Sequence, residues 1–184
     1  EPYEEQLEWD RDGQYYHYLT KWMQALDQVS RVTGDFTCNR FALELARTAH
    51  HRFVTLSPEG DRRRMYWKMR IDLSTPLVPF MGQHDPLDGL ITYTQLRDTW
   101  KKDPEGNPDL DLKPELAEMA ALCRGQNWFT DDPLGLGGLL SDAYRAAQLL
   151  ESGQPLPPDL PWILLAAARA GLDSLNRNQP FDHP

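Results

Sequence analysis

Helical periodicity constrains the fold of this chain more than any other feature of its sequence. Apolar residues recur every three to four positions in six segments. These segments lie at about 14–33, 40–54, 85–100, 114–124, 134–151 and 160–176. Short polar connections between most of them are typical of antiparallel neighbours. The pattern therefore predicts an all-α protein of about six helices arranged as three helical hairpins.

The predicted first helix, at 14–33, carries an apolar stripe and a polar stripe on opposite faces. The apolar stripe contains Tyr15, Tyr18, Leu19, Trp22, Leu26 and Val29, and the polar stripe contains His17, Lys21, Gln24, Gln28 and Arg31. An apolar stripe normally packs on the core, so we expect Trp22 to be buried, together with Trp67 and Trp162 on other apolar faces. Gly34 is expected to end this helix, and Asn39 to cap the second.

One segment departs from the helical period. Residues 65–73, MYWKMRIDL, alternate between apolar and polar side chains, which predicts a half-buried strand. Its partner is expected at 53–56 or at 77–81, giving one short β-hairpin inserted among the helices. The polar face of the strand would carry Tyr66, Lys68, Arg70 and Asp72. It is either a solvated face or, with two cations and a phenol, a site for a sugar carboxylate or phosphate.

The bulk composition excludes several classes of function. The chain has 184 residues, a formal net charge of −9 and a pI of about 5.0, so a nucleic-acid partner is not expected. Its length suits one domain, residues 1–184. No apolar run approaches a membrane span, and the N-terminus lacks the apolar region of a signal peptide. The two cysteines form no metal-binding pair and fit a reducing compartment, so we expect a cytoplasmic protein.

The segment MGQHDPLDG, residues 81–89, holds more polar side chains than a helix start requires. Asp85-Pro86-Leu87 has the same start signal as Asp132-Pro133-Leu134, so both aspartates are predicted to cap a helix. Asp88 falls where it either completes a capping box or serves chemistry. His84 has no capping duty. This surplus makes the segment a candidate functional site.

These features together resemble a known group of carbohydrate enzymes. Hairpins that begin alike, the aromatic-rich stretch YYHYLTKWMQAL and the segment RRMYWKM are similar to the six-hairpin (α/α) toroid of glycosidases and N-acylglucosamine 2-epimerase-like isomerases. The resemblance implies a central cavity with loops at one rim. A closed toroid needs six hairpins and this chain shows three. We therefore expect either part of a larger toroid or an open array, paired with a second copy or with the missing half of a longer chain.

The resemblance implies acid/base chemistry on a small sugar substrate, either hydrolysis or epimerisation. The candidate catalytic residues are His17, His84, Asp88 and Asp131, and the candidate substrate-binding residues are Arg11, Tyr66, Lys68, Arg70, Asp72 and Trp128. In this scheme the histidines are bases, Lys68 and Arg70 orient an anionic substituent, and Trp128 either stacks on a sugar or packs in the core.

Other chemistry finds little support in the sequence. No cofactor is expected, because GLGG at 135–138 lacks the context of a phosphate loop. No metal is expected, because the adjacent pair His50-His51 cannot share one face of a helix. The alternative to a sugar enzyme is a non-catalytic helical interaction domain, in which the same polar residues lie scattered over the surface.

Overall fold

Six α-helices make up most of the structure in the described part of the chain. The computed structural model describes residues 12–57, 60 and 62–178. The helices are α1 (Tyr16–Thr33), α2 (Thr37–Phe53), α3 (Asp85–Trp100), α4 (Lys113–Cys123), α5 (Pro133–Glu151) and α6 (Leu160–Asn178). Gly34 ends α1 with a left-handed φ of 77°, as its position predicted. The prediction of a mainly helical chain with six helices is confirmed.

The chain divides into two compact units, Glu1–Arg124 and Gly125–Pro184. In the first unit α1 and α2 form a hairpin, and α3 packs against α1, α2 and α4. In the second unit α5 packs against α6. The helices thus pair in the predicted order, while a toroid and a single 184-residue domain stay predictions. Among the described residues, none of the helices has the length and apolar character needed to cross a membrane.

The predicted continuous strand at 65–73 is wrong, because this segment contributes to two small sheets instead. The four strands are β1 (Gln14–Tyr15), β2 (Val54–Leu56), β3 (Arg63–Met65) and β4 (Lys68–Met69). β2 pairs antiparallel with β3, and β1 with β4. Between β3 and β4, the Trp67 amide instead donates to the Phe80 carbonyl at 3.3 Å. Residues 53–56 were correctly expected to pair with this region. The pairing of residues 14–15, which directly precede α1, was not expected.

The predicted polar face of that strand is wrong for the same reason. Tyr66 and Lys68 are buried, whereas Arg70 and Asp72 are exposed. Lys68 lies beneath β1, with its Nζ 4.9 Å from the centre of the Tyr15 ring, a cation–π contact. The four side chains therefore do not share one face. Their predicted alternation required a continuous strand over residues 65–73, whereas β3 ends at Met65.

The face of α1 that packs on the protein is not the predicted one. Its buried residues are Tyr16, Thr20, Met23, Asp27 and Ser30, which follow one another at helical spacing. Trp22 is 66% exposed, and in α6 Trp162 is 73% exposed, so both predictions of core tryptophans are wrong. Trp67 is half-buried. A polar stripe can be buried here because α2 and α3 supply its hydrogen-bond partners.

Asp27 is the centre of a buried polar network that joins three helices. Its carboxylate accepts hydrogen bonds from Asn39 Nδ2 of α2 at 2.7 Å and from Gln95 Nε2 of α3 at 2.8 Å. Asn39 Nδ2 also lies 3.1 Å from the Leu96 carbonyl oxygen. The sequence predicted that Asn39 caps α2. It does not, because the cap position belongs to Phe36. A buried network of this kind is stable only while each donor keeps its acceptor.

Asp27→Ala is expected to destabilise the protein by about 3 kcal/mol, because it removes the acceptor that two buried amide groups share. Urea unfolding followed by circular dichroism measures this change. Gln28→Ala removes an exposed neighbour on the same helix and is the matched control, expected within about 0.5 kcal/mol of wild type. A loss below about 1 kcal/mol for Asp27→Ala would show that the network contributes little.

α6 is buried on one side only, although its sequence is apolar nearly all round. Leu160, Leu164, Ala168, Gly171 and Leu175 are among its buried residues. Trp162 and Leu165 lie exposed on the other side. Gly171 packs so closely on the loop before α5 that an added Cβ would lie 1.8 Å from the Thr130 carbonyl oxygen. Backbone, and not a flexible side chain, therefore limits this position.

Gly171→Ala is expected to destabilise the second unit by about 2 kcal/mol, because α6 must move away from the Thr130 carbonyl. The matched control is Gly137→Ala in α5, where an added Cβ meets no atom within 4 Å. That substitution should stabilise its helix by about 0.5–1 kcal/mol through the lower backbone entropy of alanine. Thermal unfolding of both variants compares them directly. Equal stability of the two would contradict the packing of Gly171 on Thr130.

Candidate active site

Two elements of the first unit build a polar site where the start of α3 meets one side of α1. His17, Thr20, Lys21 and Gln24 follow one another at spacings of three, one and three residues, which places them along one side of α1. The first turn of α3 supplies Asp85 and Asp88. The predicted polar stripe of α1 is therefore in part a contact surface for α3.

Asp88 is the carboxylate of the site with the most hydrogen-bond and ion-pair partners on α1. Lys21 Nζ lies 3.2 Å from both of its oxygens, and Gln24 Nε2 lies 3.2 Å from Oδ1. Thr20 donates a short hydrogen bond to Oδ2. Asp88 is buried, whereas the Lys21 side chain is 56% exposed. The Asp88 side chain thus joins α1 to α3, and the ammonium of Lys21 balances its charge.

Asp85 lies one turn earlier in a very different environment. It was predicted to cap α3, but the cap position belongs to His84 and no side chain caps this end. Asp85 is buried, and its Oδ2 has no hydrogen-bond partner among the described residues. Burial and the nearby charge of Asp88 raise the pKa of Asp85 to about 7, against a smaller opposing effect of Lys21. Asp85 is therefore a carboxylic acid that can hold its proton near neutral pH.

The second Asp-Pro-Leu sequence behaves as predicted. Asp132 caps α5, with its carboxylate 2.6 Å from the Gly135 amide nitrogen. The same Asp-Pro-Leu sequence thus has its aspartate at a helix cap in α5 and inside the protein in α3. The role of Asp85 was missed because its local sequence is identical to that of a true cap. Only the packing of α3 on its neighbours distinguishes them.

His17 lies close enough to Asp88 and Lys21 for their charges to act on its imidazole. It is half-buried, and its ring centre lies 4.2 Å from that of Tyr18 and 5.7 Å from that of Tyr15. Burial lowers the pKa of His17; Lys21 acts in the same direction, and the charge of Asp88 opposes both. A neutral imidazole of this kind can accept a proton at neutral pH.

A buried pair of phenols forms the inner wall of the site. The Tyr16 hydroxyl donates to that of Tyr93 at 2.9 Å, which donates to the Ala46 carbonyl at 3.1 Å. Burial raises the pKa of Tyr16 well above its usual range, and the neighbouring charges of Asp88 and Asp85 add to this. Tyr16 therefore stays protonated and fixes the position of α1 against α3.

The remaining predicted site residues have varied positions. His84 is half-buried beside Asp85, and its carbonyl accepts from the Asp88 amide at 3.0 Å. Tyr66 is buried against Arg64, whose guanidinium lies 4.8 Å from the ring centre. Arg70 and Asp72 are exposed and lie 3.9 Å apart. His17 thus lies close enough to Asp88 to feel its charge, His84 directly precedes α3, and Lys68 is buried in β4 against the Tyr15 ring.

Two predicted residues belong to the second unit and one lies outside the described residues. Asp131 is exposed, and its Oδ2 accepts from the Ser174 hydroxyl at 3.0 Å. Trp128 is buried, a position that favours core packing over stacking on a ligand. Arg11 lies outside the described residues. The roles of these three residues stay predictions.

An open groove runs along α1 next to the carboxyl groups. Its volume is about 550 Å³ and it is lined by Gln14, Tyr18, Leu19, Lys21, Trp22 and Ala25, which we call the aromatic groove. Lys21 belongs both to this groove and to the Asp88 cluster. Lys21 is therefore the side chain that the groove and the Asp88 cluster share.

The described residues contain no group of three histidine, cysteine or acidic side chains placed to hold a metal ion. His50 is buried and lies 3.0 Å from Glu118, whereas the adjacent His51 is exposed.

Comparisons with family models, with curated proteins and with solved structures gave no match. We base the functional proposal on the geometry at the start of α3.

Proposed function

We propose that this chain is a carbohydrate-active enzyme of the (α/α) type, or part of one, and that it acts on a sugar by acid/base chemistry. The observation that carries the proposal is the pair of carboxyl groups in the first turn of α3. Asp88 is paired with a cation and with hydrogen-bond donors, whereas Asp85 is buried beside it with its pKa raised to about 7. Two acids in unlike environments are the usual basis of an acid and a base in one site.

In hydrolysis, Asp85 would donate its proton to the glycosidic oxygen, which leaves as the glycosidic bond breaks. A water molecule would attack the sugar carbon and lose its proton to Asp88. In epimerisation, neutral His17 would remove a proton from the carbon next to a carbonyl group, and an acid on the opposite face would return one. His84 is the other proposed proton carrier of the first unit. Both reactions need the same feature, a proton donor and a proton acceptor close together.

The larger toroid is part of the same proposal. A three-hairpin chain would supply half of a closed ring, and a second copy or a further part of a longer chain would supply the rest. Exposed apolar side chains in the second unit support a contact of this kind, since large apolar surfaces are normally covered. They include Leu134, Leu140, Tyr144, Ile163 and Leu172. The same side chains also support the alternative, a non-catalytic interaction domain.

Incubation with sugars in D₂O, followed by proton NMR, tests the proposal. The panel holds nitrophenyl glycosides, free hexoses and N-acyl hexosamines. Hydrolysis appears as released nitrophenol and reducing sugar, and epimerisation as new anomeric signals with loss of a carbon-bound proton. We expect conversion of at least one sugar. A folded protein that converts and binds none of them, yet associates with another protein, would favour the interaction domain.

A further inference from the structure

We propose that the aromatic groove is the sugar-binding subsite of this enzyme and that it takes a neutral pyranose ring. This inference rests on the proposed function, since it names the substrate class of the same site. It stands on the exposure of two aromatic rings, on the position of Lys21 and on the balance of charge around the groove.

Two aromatic rings lie largely exposed on α1. Tyr18 and Trp22 are one helical turn apart, with 58% and 66% of their surfaces exposed. Tyr18 packs against Tyr15, with ring centres 5.4 Å apart, and both Tyr18 and Trp22 line the aromatic groove, where their apolar faces can serve as a platform. One face of a pyranose presents C–H groups and its edge presents hydroxyls. A platform bordered by the polar groups of Gln14 and Lys21 matches both parts of that ring.

Lys21 links this platform to the chemistry. It lies between Tyr18 and Trp22 in the sequence, lines the groove, and places its Nζ 3.2 Å from both oxygens of Asp88. A sugar hydroxyl that reaches the exposed part of Lys21 is then one side chain away from the paired carboxylate. Lys21 thus connects the groove with the proposed site of proton transfer.

The charges around the groove favour a neutral sugar. The ammonium of Lys21 already balances Asp88, and Asp85 lies next to that carboxylate. Lys68, expected from the sequence to orient an anionic substituent, is buried beneath Tyr15, and Arg70 lies 3.9 Å from Asp72. The whole chain carries a formal net charge of −9. A carboxylate or phosphate on the sugar would meet no uncommitted cation among these residues.

Calorimetric titration with defined oligosaccharides tests the inference. The neutral probes are cellohexaose and chitohexaose, and the acidic probe is a hexamer of galacturonate. We expect a neutral probe to bind and the acidic one to bind at least tenfold more weakly. Trp22→Ala should weaken the neutral probe by roughly tenfold, the size expected for loss of one aromatic stacking partner. Trp162→Ala, which removes an exposed tryptophan of the second unit, should leave the affinity unchanged.

The outcomes separate this inference from the proposed function. Binding that Trp22→Ala does not weaken, or a preference for the galacturonate hexamer, overturns the inference while turnover by the wild type still supports the enzyme. Binding lost in Trp22→Ala without any turnover supports the subsite and overturns the enzyme. Failure of all three probes to bind a folded protein overturns the inference. Circular dichroism of both tryptophan variants confirms that each is folded.

Discussion

Asp88→Asn is expected to reduce kcat for sugar conversion by roughly 10²–10⁴-fold, the contribution typical of a positioned acid or base. The substitution keeps the size of the side chain and removes its charge. It replaces one of the two oxygens by an amide nitrogen, so that Lys21 loses its charged partner and either Thr20 or Gln24 loses its acceptor. NMR conversion assays at saturating sugar measure the loss. KM should change much less than kcat, because the aromatic groove remains intact.

The matched control for this prediction is Asp98→Asn, on the same helix. Asp98 pairs with Lys102 at 2.7 Å, an i,i+4 surface contact of small expected energy. Its replacement should leave kcat within about twofold of wild type. If both asparagine variants converted sugar at the wild-type rate, Asp88 would have only the structural task of joining α1 to α3.

Asp85 is expected to make the stability of the protein fall as pH rises from about 4 to about 7. Its pKa is about 7 in the folded protein against an ordinary value of 3.8, so within this interval the folded state keeps a proton that the unfolded state releases. By linkage, the free energy of unfolding then decreases with pH and levels off above pH 7. A difference of three pKa units corresponds to about 4 kcal/mol as an upper bound.

Asp85→Asn isolates this contribution, because asparagine does not titrate. Burial lowers the pKa values of His17 and His50, which makes stability rise with pH near neutrality and opposes the effect of Asp85 in the wild type. The difference between the two proteins cancels those terms. Urea unfolding at pH 4, 6 and 8 should show the variant gaining stability relative to wild type as pH rises. Parallel curves would contradict a buried, protonated Asp85.

Local sequence rules predicted the helices well because helix formation and termination are largely local. The six helical segments, the left-handed Gly34 after α1 and the Asp132 cap of α5 all followed from residues within one or two turns. Each of these depends on interactions of a residue with its near neighbours in the chain. Such features can be predicted from spacing alone.

The misplaced faces arise from contacts between distant residues. The sequence assigned Trp22 to the core and placed Asp27 on neither stripe of α1, yet Asp27 is buried and finds its donors 12 and 68 residues away. Hydrogen bonds to those partners compensate for the free-energy cost of burying a carboxylate, which hydropathy alone would place at the surface. The strand at 65–73 failed similarly, because β4 pairs with residues before α1.

For the candidate site, the sequence singled out His17, His84 and Asp88. The charge of Asp88 acts on His17 of α1, and His84 precedes α3. Asp85 was assigned to capping, since the identical Asp-Pro-Leu context of Asp132 offered no local signal to distinguish it. Its burial depends on how α3 packs in the first unit, which no short motif records.

A carbon-13 NMR titration of the aspartate carboxyl groups tests the central claim most directly. Comparison of wild type with Asp85→Asn assigns the Asp85 signal, and no substrate needs to be known. We predict that this carboxyl titrates near pH 7, and at a lower pH in Asp88→Asn because the neighbouring charge is gone. An Asp85 signal that titrates near pH 4 in the folded protein would contradict the acid proposed for this site.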